Sequence, residues 1–354
     1  MRHLRRDFLK TVGAGAAGML IPGAFTASAQ TQRRQVSIGG RRVRVIDAHA
    51  HCIIPVQHVT KGTPLEKMGG GGGNNLLGLE RLQIMDEQGV DVQALTINNF
   101  WWYSADADLA RAIVREQNDG LAKWVARHPD RFVATATVAL QHPELAAEQL
   151  QDGVKRLGLR GASIGGHVNG EDLSLPKFDP FWAKAAELGV PVFMHPGGAT
   201  NIVRNDAFSG RGDLGNIIGN PLETTYFLSR LIFDGVFDKF PGLRVFAAHA
   251  GGYLPSYLGR TEAACVVRGN ANCANQKKPS DYLKSQVLID TMVFSDEGLR
   301  HLVAEVGVGQ IVYGTDVPFN WPVTVDLVLN AKFLSDADKT AILSGNLMKV
   351  LRIQ

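Results

Sequence analysis

The fold of this chain turns on one stretch, Val43-Arg-Val-Ile-Asp-Ala-His-Ala-His-Cys-Ile-Ile54. An apolar, β-branched run reads as a strand, and it leads into His49 and His51, two residues apart. Side chains at i and i+2 of a strand share a face. Both imidazoles therefore project together from the C-terminal end of one strand. Two such imidazoles make half of a site for a first-row divalent ion. A lone histidine would read as a buried, hydrogen-bonded residue. The H-x-H spacing shifts the reading to metal, and the rest of the chain must then supply the missing ligands.

Outward from this stretch, short apolar runs alternate with helical patterns. Strands are expected over Val43–His49, Val92–Ile97, Phe132–Val138, Leu159–Ile164, Val190–His195, Arg244–His249, Gln286–Asp290 and Gln310–Thr315. Apolar residues at helical spacing predict helices over Leu79–Gln88, Asp106–Arg127, Pro143–Leu157, Pro180–Leu188, Leu222–Asp234, Asp296–Val306 and Val323–Leu334. A last helix is expected over Asp336–Leu351, with Ser335 as its N-cap. Eight strands alternating with helices predict an α/β fold of the (β/α)8 barrel type. The alternative is an open doubly wound sheet, which usually carries a glycine-rich phosphate turn after its first strand. Here the first strand ends in H-x-H instead.

Three later runs end in residues of the same chemistry: Val190-Pro-Val-Phe-Met-His195, Arg244-Val-Phe-Ala-Ala-His249 and Ile311-Val-Tyr-Gly-Thr-Asp316. In a barrel every strand's C-terminal end reaches the same mouth. His49, His51, His195, His249 and Asp316 should then meet in space. One strand end of this kind could simply cap the next helix. Four together predict a catalytic metal centre, because structural zinc is usually closed by cysteines whereas a His/Asp set leaves a position for water. The three cysteines, Cys52, Cys265 and Cys273, form no C-x-x-C. Cys265 and Cys273 can pair in an oxidising compartment.

The formal charge of +3 is carried entirely by residues 1–29, where Arg2, Arg5, Arg6 and Lys10 stand against Asp7. The remainder is neutral, which argues against nucleic acid or an anionic membrane as partner. Arg5-Arg6-Asp7-Phe8-Leu9-Lys10, a mildly apolar stretch to Phe25 and Ala27-Ser28-Ala29 read as a twin-arginine export signal with a cleavage site. The stretch is too short and glycine-rich for a stable membrane anchor. The expected organisation is a signal over 1–29, a tail over 30–42 and one barrel domain over 43–354, with a periplasmic destination. Gly69 to Gly73 interrupt the first long loop and read either as a surface excursion or as a lid.

D-A-H-A-H, F-M-H-P, A-A-H-A-G-G and Y-G-T-D together resemble the amidohydrolase superfamily. More narrowly, they resemble its branch of 2-amino-3-carboxymuconate-6-semialdehyde decarboxylase and related non-oxidative decarboxylases. Asn118-Asp119, Ile164-Gly-Gly-His167-Val-Asn169, Pro221-Leu-Glu-Thr-Thr, Gly235-Val-Phe-Asp-Lys-Phe-Pro241 and Gly345-Asn346 extend the resemblance over nearly the whole chain from Ile46. It implies that His49, His51, His195 and Asp316 hold one divalent ion, Zn²⁺ first and Mn²⁺ as the alternative, with no organic cofactor. It implies that His249 serves as acid/base beside the metal-bound water. Independently, a metal lowers the pKa of bound water to about 7, and a neutral histidine can exchange that proton.

Arg260 and Arg268 lie at spacings after His249 that resemble the branch's carboxylate-binding arginines. The resemblance implies a homodimer in which an arginine reaches the neighbouring site. Guanidinium matches carboxylate bidentately; on spacing alone the two would read as solvated helix-surface arginines. Trp101, with Trp102 and Tyr103, either stacks on a planar ring or packs within its loop, and His167 at the end of the fourth strand either lines the pocket or hydrogen-bonds its loop. The chain departs from the semialdehyde enzyme in carrying Gly197-Gly198 after its His-Pro and no arginine in Pro55–Asn75. A different small-molecule carboxylate is therefore expected. The first functional expectation is decarboxylation of an aromatic or unsaturated acid. The alternative is hydrolysis of a lactone, ester or amide in the same site. A non-enzymatic metal-binding or ligand-binding module would instead need a closed coordination sphere.

Overall fold

In the computed structural model, which describes residues 33–69, 76–204 and 206–354, the first strand is Ile46–His51 and is buried throughout. Its burial follows from having a strand on each side. It pairs in parallel with the second strand, Val92–Thr96. On its other edge, Ala48 N–H donates to Tyr313 at 2.8 Å, Asp316 N–H to His49 at 2.9 Å and His51 N–H to Val317 at 2.9 Å. These bonds bring the chain beyond the eighth strand, Ile311–Val312, back to the first.

The third strand, Phe132–Ala134 continuing as Ala136–Thr137, changes partner partway along. Its first part pairs with the second strand, and its last with the fourth, Ala162–Ile164. The fifth, Pro191–Met194, the sixth, Arg244–Ala247, and the seventh, Val287–Asp290, follow in order, all parallel. The result is a (β/α)8 barrel. Ile46, Ala48, Val92, Ala94, Phe193, Phe246, Leu288 and Val312 form its inner cluster, closed by Leu347 and Leu351 of the final helix, Asn346–Leu351. Alternate residues such as Leu95, Ile164, Val192, Val245 and Ile289 belong to the larger outer core, packed against the helices.

The first strand breaks its own alternation. Asp47 pairs with Gln93 and Ala50 with Leu95, so Ala48 and His49 stand opposite the single residue Ala94. This bulge re-aims the strand. Ile46 and Ala48 face inward below it, and His49 and His51 face inward above it. Asp47 stays outside, accepting from Gln93 Nε2 at 3.1 Å and Thr315 Oγ1 at 2.6 Å.

The crossover helices largely match the sequence pattern. Leu79–Gln88 and Asp296–Val306 fall on their expected bounds. Ala107–Arg127 starts on Asp106, whose carboxylate accepts from the backbone N–H groups of Asp108 and Leu109; such a cap contributes about 1 kcal/mol. Ser335 caps the helix Asp336–Thr340 as expected. Three expectations need correction. The segment Val323–Leu334 is helical only over Val325–Asn330. The final helix is not continuous, because a π turn at Ala341–Gly345 separates its two parts. There the Ile342 carbonyl accepts from Tyr313 N–H at 3.0 Å, tying the turn to the end of the eighth strand. The eighth strand itself is shorter than Gln310–Thr315, since the chain beyond Val312 turns toward the first strand.

Of the residues expected as a tail, those from Arg33 onward are part of the compact unit, and 30–32 lie outside the described residues. Ser37–Ile38 and Arg41–Arg42 form a hairpin, Val36 and Ile38 enter the core, and Arg33 and Arg42 both pair with Asp91. Cys265 and Cys273 are joined in a disulfide, while Cys52 is free and buried. The export signal and most of the Gly69–Gly73 run lie outside the described residues. Among those described, no helix is long and apolar enough to cross a membrane.

Gly314 marks where the barrel is tightest. A Cβ added there would lie 2.9 Å from Asp290 Cβ and 3.1 Å from His49 Cβ. Gly314→Ala should therefore lower unfolding stability by about 1–3 kcal/mol through overpacking. A denaturant midpoint equal to that of the parent would refute this.

Candidate metal centre

Each residue of the constellation is delivered by a different strand end, apart from the paired histidines of the first. His195 directly follows the fifth strand, His249 lies just beyond the sixth, and Asp316 lies beyond the eighth. His249 and Asp316 both adopt left-handed backbone conformations, with φ of 55° and 58°. Such conformations cost non-glycine residues of order 1–3 kcal/mol each and cluster at functional sites.

The five side chains meet. Ring centroids are 4.5 Å apart for His51 and His195, 5.2 Å for His49 and His195, 5.3 Å for His49 and His51, and 5.0 Å for His195 and His249. Asp316 Oδ1 lies 2.8 Å from His51 Nε2 and 3.1 Å from His49 Nε2, and Oδ2 lies 3.7 Å from His249 Nε2. His49, His195, His249 and Asp316 can each offer one donor atom within 4.8 Å of all the others. His51 stands outside that quartet but makes the shortest contact with Asp316. His249 is the most open of the four imidazoles, its side chain 15% exposed against 2% for His49 and 4% for His51.

Hydrogen bonds behind the cluster fix which nitrogens face inward. His49 Nδ1 donates to Asp290 Oδ2 at 2.9 Å, and His195 Nδ1 donates to the Pro196 carbonyl at 2.8 Å. Each ring therefore turns Nε2 to the cluster. His195 Nε2 is buried without a hydrogen-bond partner, and Asp316 Oδ1 makes no well-aligned hydrogen bond despite its short contacts. Imidazole nitrogens and a carboxylate oxygen converging this closely fit a divalent cation, and the N/O set suits zinc or manganese.

The electrostatics agree. Burial opposes protonation of His49, but the Asp316 charge and the contacts with Asp290 and Asp316 overrule it and raise the pKa to about 10. Burial lowers His51 to about 4, with Asp316 offsetting only part. Burial, then the neighbouring imidazoles, hold His195 well below the usual histidine range. Burial alone would raise Asp316; the His49 charge and the contacts with the surrounding imidazoles hold it below the usual carboxylate range.

Asp290 is the functional residue that sequence reasoning passed over. It is fully buried at the end of the seventh strand, orients His49, and accepts from the backbone N–H groups of His249 at 3.0 Å and Ala250 at 2.7 Å. One carboxylate thus fixes two of the histidines. Its signal was present, since Gln286–Asp290 is another apolar run closing on a carboxylate.

The expected substrate residues divide. Trp101 packs over the fourth strand's end, stacked on Tyr103 at 5.9 Å, with its indole N–H donating to Ser163 Oγ at 3.4 Å. Two further aromatic groups come from loops after the last strands. Phe319 meets the His51 ring edge-on at 5.1 Å, and Phe294 stacks on Trp321 at 5.3 Å. His167 has both ring nitrogens engaged, with Thr200 Oγ1 and Gly170 N–H, and braces its loops instead of presenting a free nitrogen. Arg260 and Arg268 are exposed on and just after the helix Leu258–Val267 and make no ion pair among the described residues. The single chain does not bring them into the cluster.

The amidohydrolase family model matches residues 46–353. The 2-amino-3-carboxymuconate-6-semialdehyde decarboxylase of Dictyostelium discoideum is 32% identical over 276 residues, covering 77% of this chain and 75% of its own. The 5-carboxyvanillate decarboxylase of Sphingomonas paucimobilis superposes with a TM-score of 0.78 at 26% identity, over 88% of this chain and 100% of its own. A dihydroxybenzoic acid decarboxylase of Polaromonas sp. JS666, solved with manganese and the inhibitor 2-nitroresorcinol, gives 0.75 at 27% identity, over 88% and 97%.

Below a pKa of about 10, metal-free His49 carries a proton that an ion must displace. Metal affinity should therefore rise with pH, by about tenfold per unit between pH 6 and 8 for one displaced proton, as read by chelator competition. Asp290→Asn should weaken that affinity about 10–100-fold. A flat pH profile, or unchanged affinity in the variant, would contradict this account.

Proposed function

The chain belongs to the amidohydrolase family, and from that premise we propose that it is a metal-dependent, non-oxidative decarboxylase of an aromatic or unsaturated carboxylic acid. The observation that carries this reading is the placement of His249. It touches Asp316, has its backbone held on Asp290, and is the most open imidazole of a cluster otherwise closed to solvent. The named decarboxylases among its relatives support the reaction class.

His49, His51, His195 and Asp316 would hold one divalent ion, zinc or, as in the Polaromonas enzyme, manganese. When bound, the ion supplies Lewis acidity to oxygens of the substrate. His249 passes a proton to the carbon that bears the carboxylate. The bond to the carboxylate then breaks, CO₂ leaves, and the carbon keeps the new C–H bond. Trp101 and Phe319 offer aromatic faces to a planar substrate.

The same proposal includes a homodimer, with Arg260 or Arg268 orienting the carboxylate in the neighbouring subunit's site. Tyr257, Val266 and Val267 are 61%, 84% and 74% exposed on the segment that carries both arginines, which supports self-association there. A periplasmic destination is supported by the signal-like N-terminus and by the Cys265–Cys273 disulfide.

The test is a screen of carboxyl-labelled hydroxybenzoates and muconates, with lactones included, followed for labelled CO₂ and for oxygen incorporated from water. CO₂ release is expected; incorporation of water into product without CO₂ would replace this reading with hydrolysis. His249→Ala should keep its metal and lose about 10²–10⁴-fold in turnover, and full activity in that variant would remove the acid/base role.

A further inference from the structure

We propose that Glu223 is a positioning residue that sets the tautomer and aim of His195 through one intervening peptide unit, Pro196–Gly197. The proposal rests on the metal-site reading given above. Three groups stand in a row. His195 Nδ1–H donates to the Pro196 carbonyl at 2.8 Å. The N–H of that same peptide unit, on Gly197, donates to Glu223 Oε2 at 2.9 Å. Because the peptide is planar and trans, fixing its N–H end fixes the direction of its C=O end. The carboxylate therefore decides where the carbonyl points, and the carbonyl decides which ring nitrogen carries hydrogen.

Several features show that this carboxylate is built in. Glu223 is 1% exposed, in the first turn of the helix Asn220–Phe233, and pairs with no lysine or arginine among the described residues. Its Oε2 takes a second bond from Ala199 N–H at 2.7 Å. Ala199 is fully buried with a φ of 60°, a conformation unfavourable for alanine that the shared oxygen holds in place. On the other side, a Cβ at Gly166 would lie 2.5 Å from Glu223 Oε1, so only glycine lets the carboxylate seat there. A buried charge needs such donors to offset its desolvation. Here the donors belong to the loop that orients His195.

The arrangement parallels Asp290 and His49, where the carboxylate meets the imidazole directly. Polarised hydrogen bonds in series strengthen one another. Glu223 on the N–H end should thus make the Pro196 carbonyl a better acceptor and His195 Nε2 a better donor to an ion. Outer partners of this kind typically change metal affinity 10–100-fold.

The test uses the full chain and Zn²⁺ alone. Glu223→Ala should lower zinc affinity by about tenfold or more, and the isosteric Glu223→Gln, which keeps an acceptor but not the charge, by about threefold. Nitrogen-15 spectra of the metal-free protein should show His195 as the Nδ1–H tautomer in the parent and as a tautomer mixture in Glu223→Ala. If the alanine variant does not fold, Glu223→Gln decides alone. Zinc affinity within about twofold of the parent, with the tautomer unchanged and only the melting temperature lowered, would overturn the relay and leave a purely structural carboxylate. A parent protein that takes up no zinc would overturn the metal reading instead, and the tautomer would still decide the relay.

Discussion

One carboxylate organises this molecule. Asp316 lies within 3.1 Å of nitrogens on both first-strand histidines, and it is there because Asp316 N–H bonds to the His49 carbonyl where the barrel closes. The hydrogen bond that completes the fold is therefore the one that completes the site. Barrel closure and cluster assembly thus draw on the same contacts. Gly314, squeezed between Asp290 and His49, shows how little slack remains.

The site is costly to the fold. Four imidazoles and the carboxylates of Asp290 and Asp316 are gathered at one mouth, and His249 and Asp316 sit in left-handed conformations. Against a net stability of about 5–15 kcal/mol for a typical domain, such terms are large. They are offset locally, by backbone donors to Asp290 and by the carbonyl that accepts from His195. The inner cluster below, closed by Leu347 and Leu351, supplies apolar burial that a polar mouth cannot.

Much of this could be read from the residues in order. Apolar runs ending in histidine or aspartate gave both the strand succession and the residues that meet, because a parallel barrel brings all those ends together. What escaped was whatever depends on a second contact in space. Asp290 closes a strand just as Asp316 does, but its hold on His49 is visible only once the seventh strand is placed. The π turn at Ala341–Gly345, whose Ile342 carbonyl accepts from Tyr313, is announced by no local pattern. His167 has the right type and position, yet its ring is spent on neighbouring loops. Phe294, Phe319 and Trp321 carry no local signal, because sequence does not show which loops face each other.

The bulge in the first strand has a wider meaning. Asp47 and His49 are two apart yet point to opposite sides, one tying the strand to Gln93 and Thr315, the other serving the mouth. A single inserted residue acts as a phase shift, letting one short word of sequence be spelled in two frames, scaffold before the slip and chemistry after it. Run in regular alternation from Asp47, the same letters would turn both histidines toward the helices, with the hydropathy of the strand unchanged. The frame in which this stretch is paired is therefore as telling as its composition.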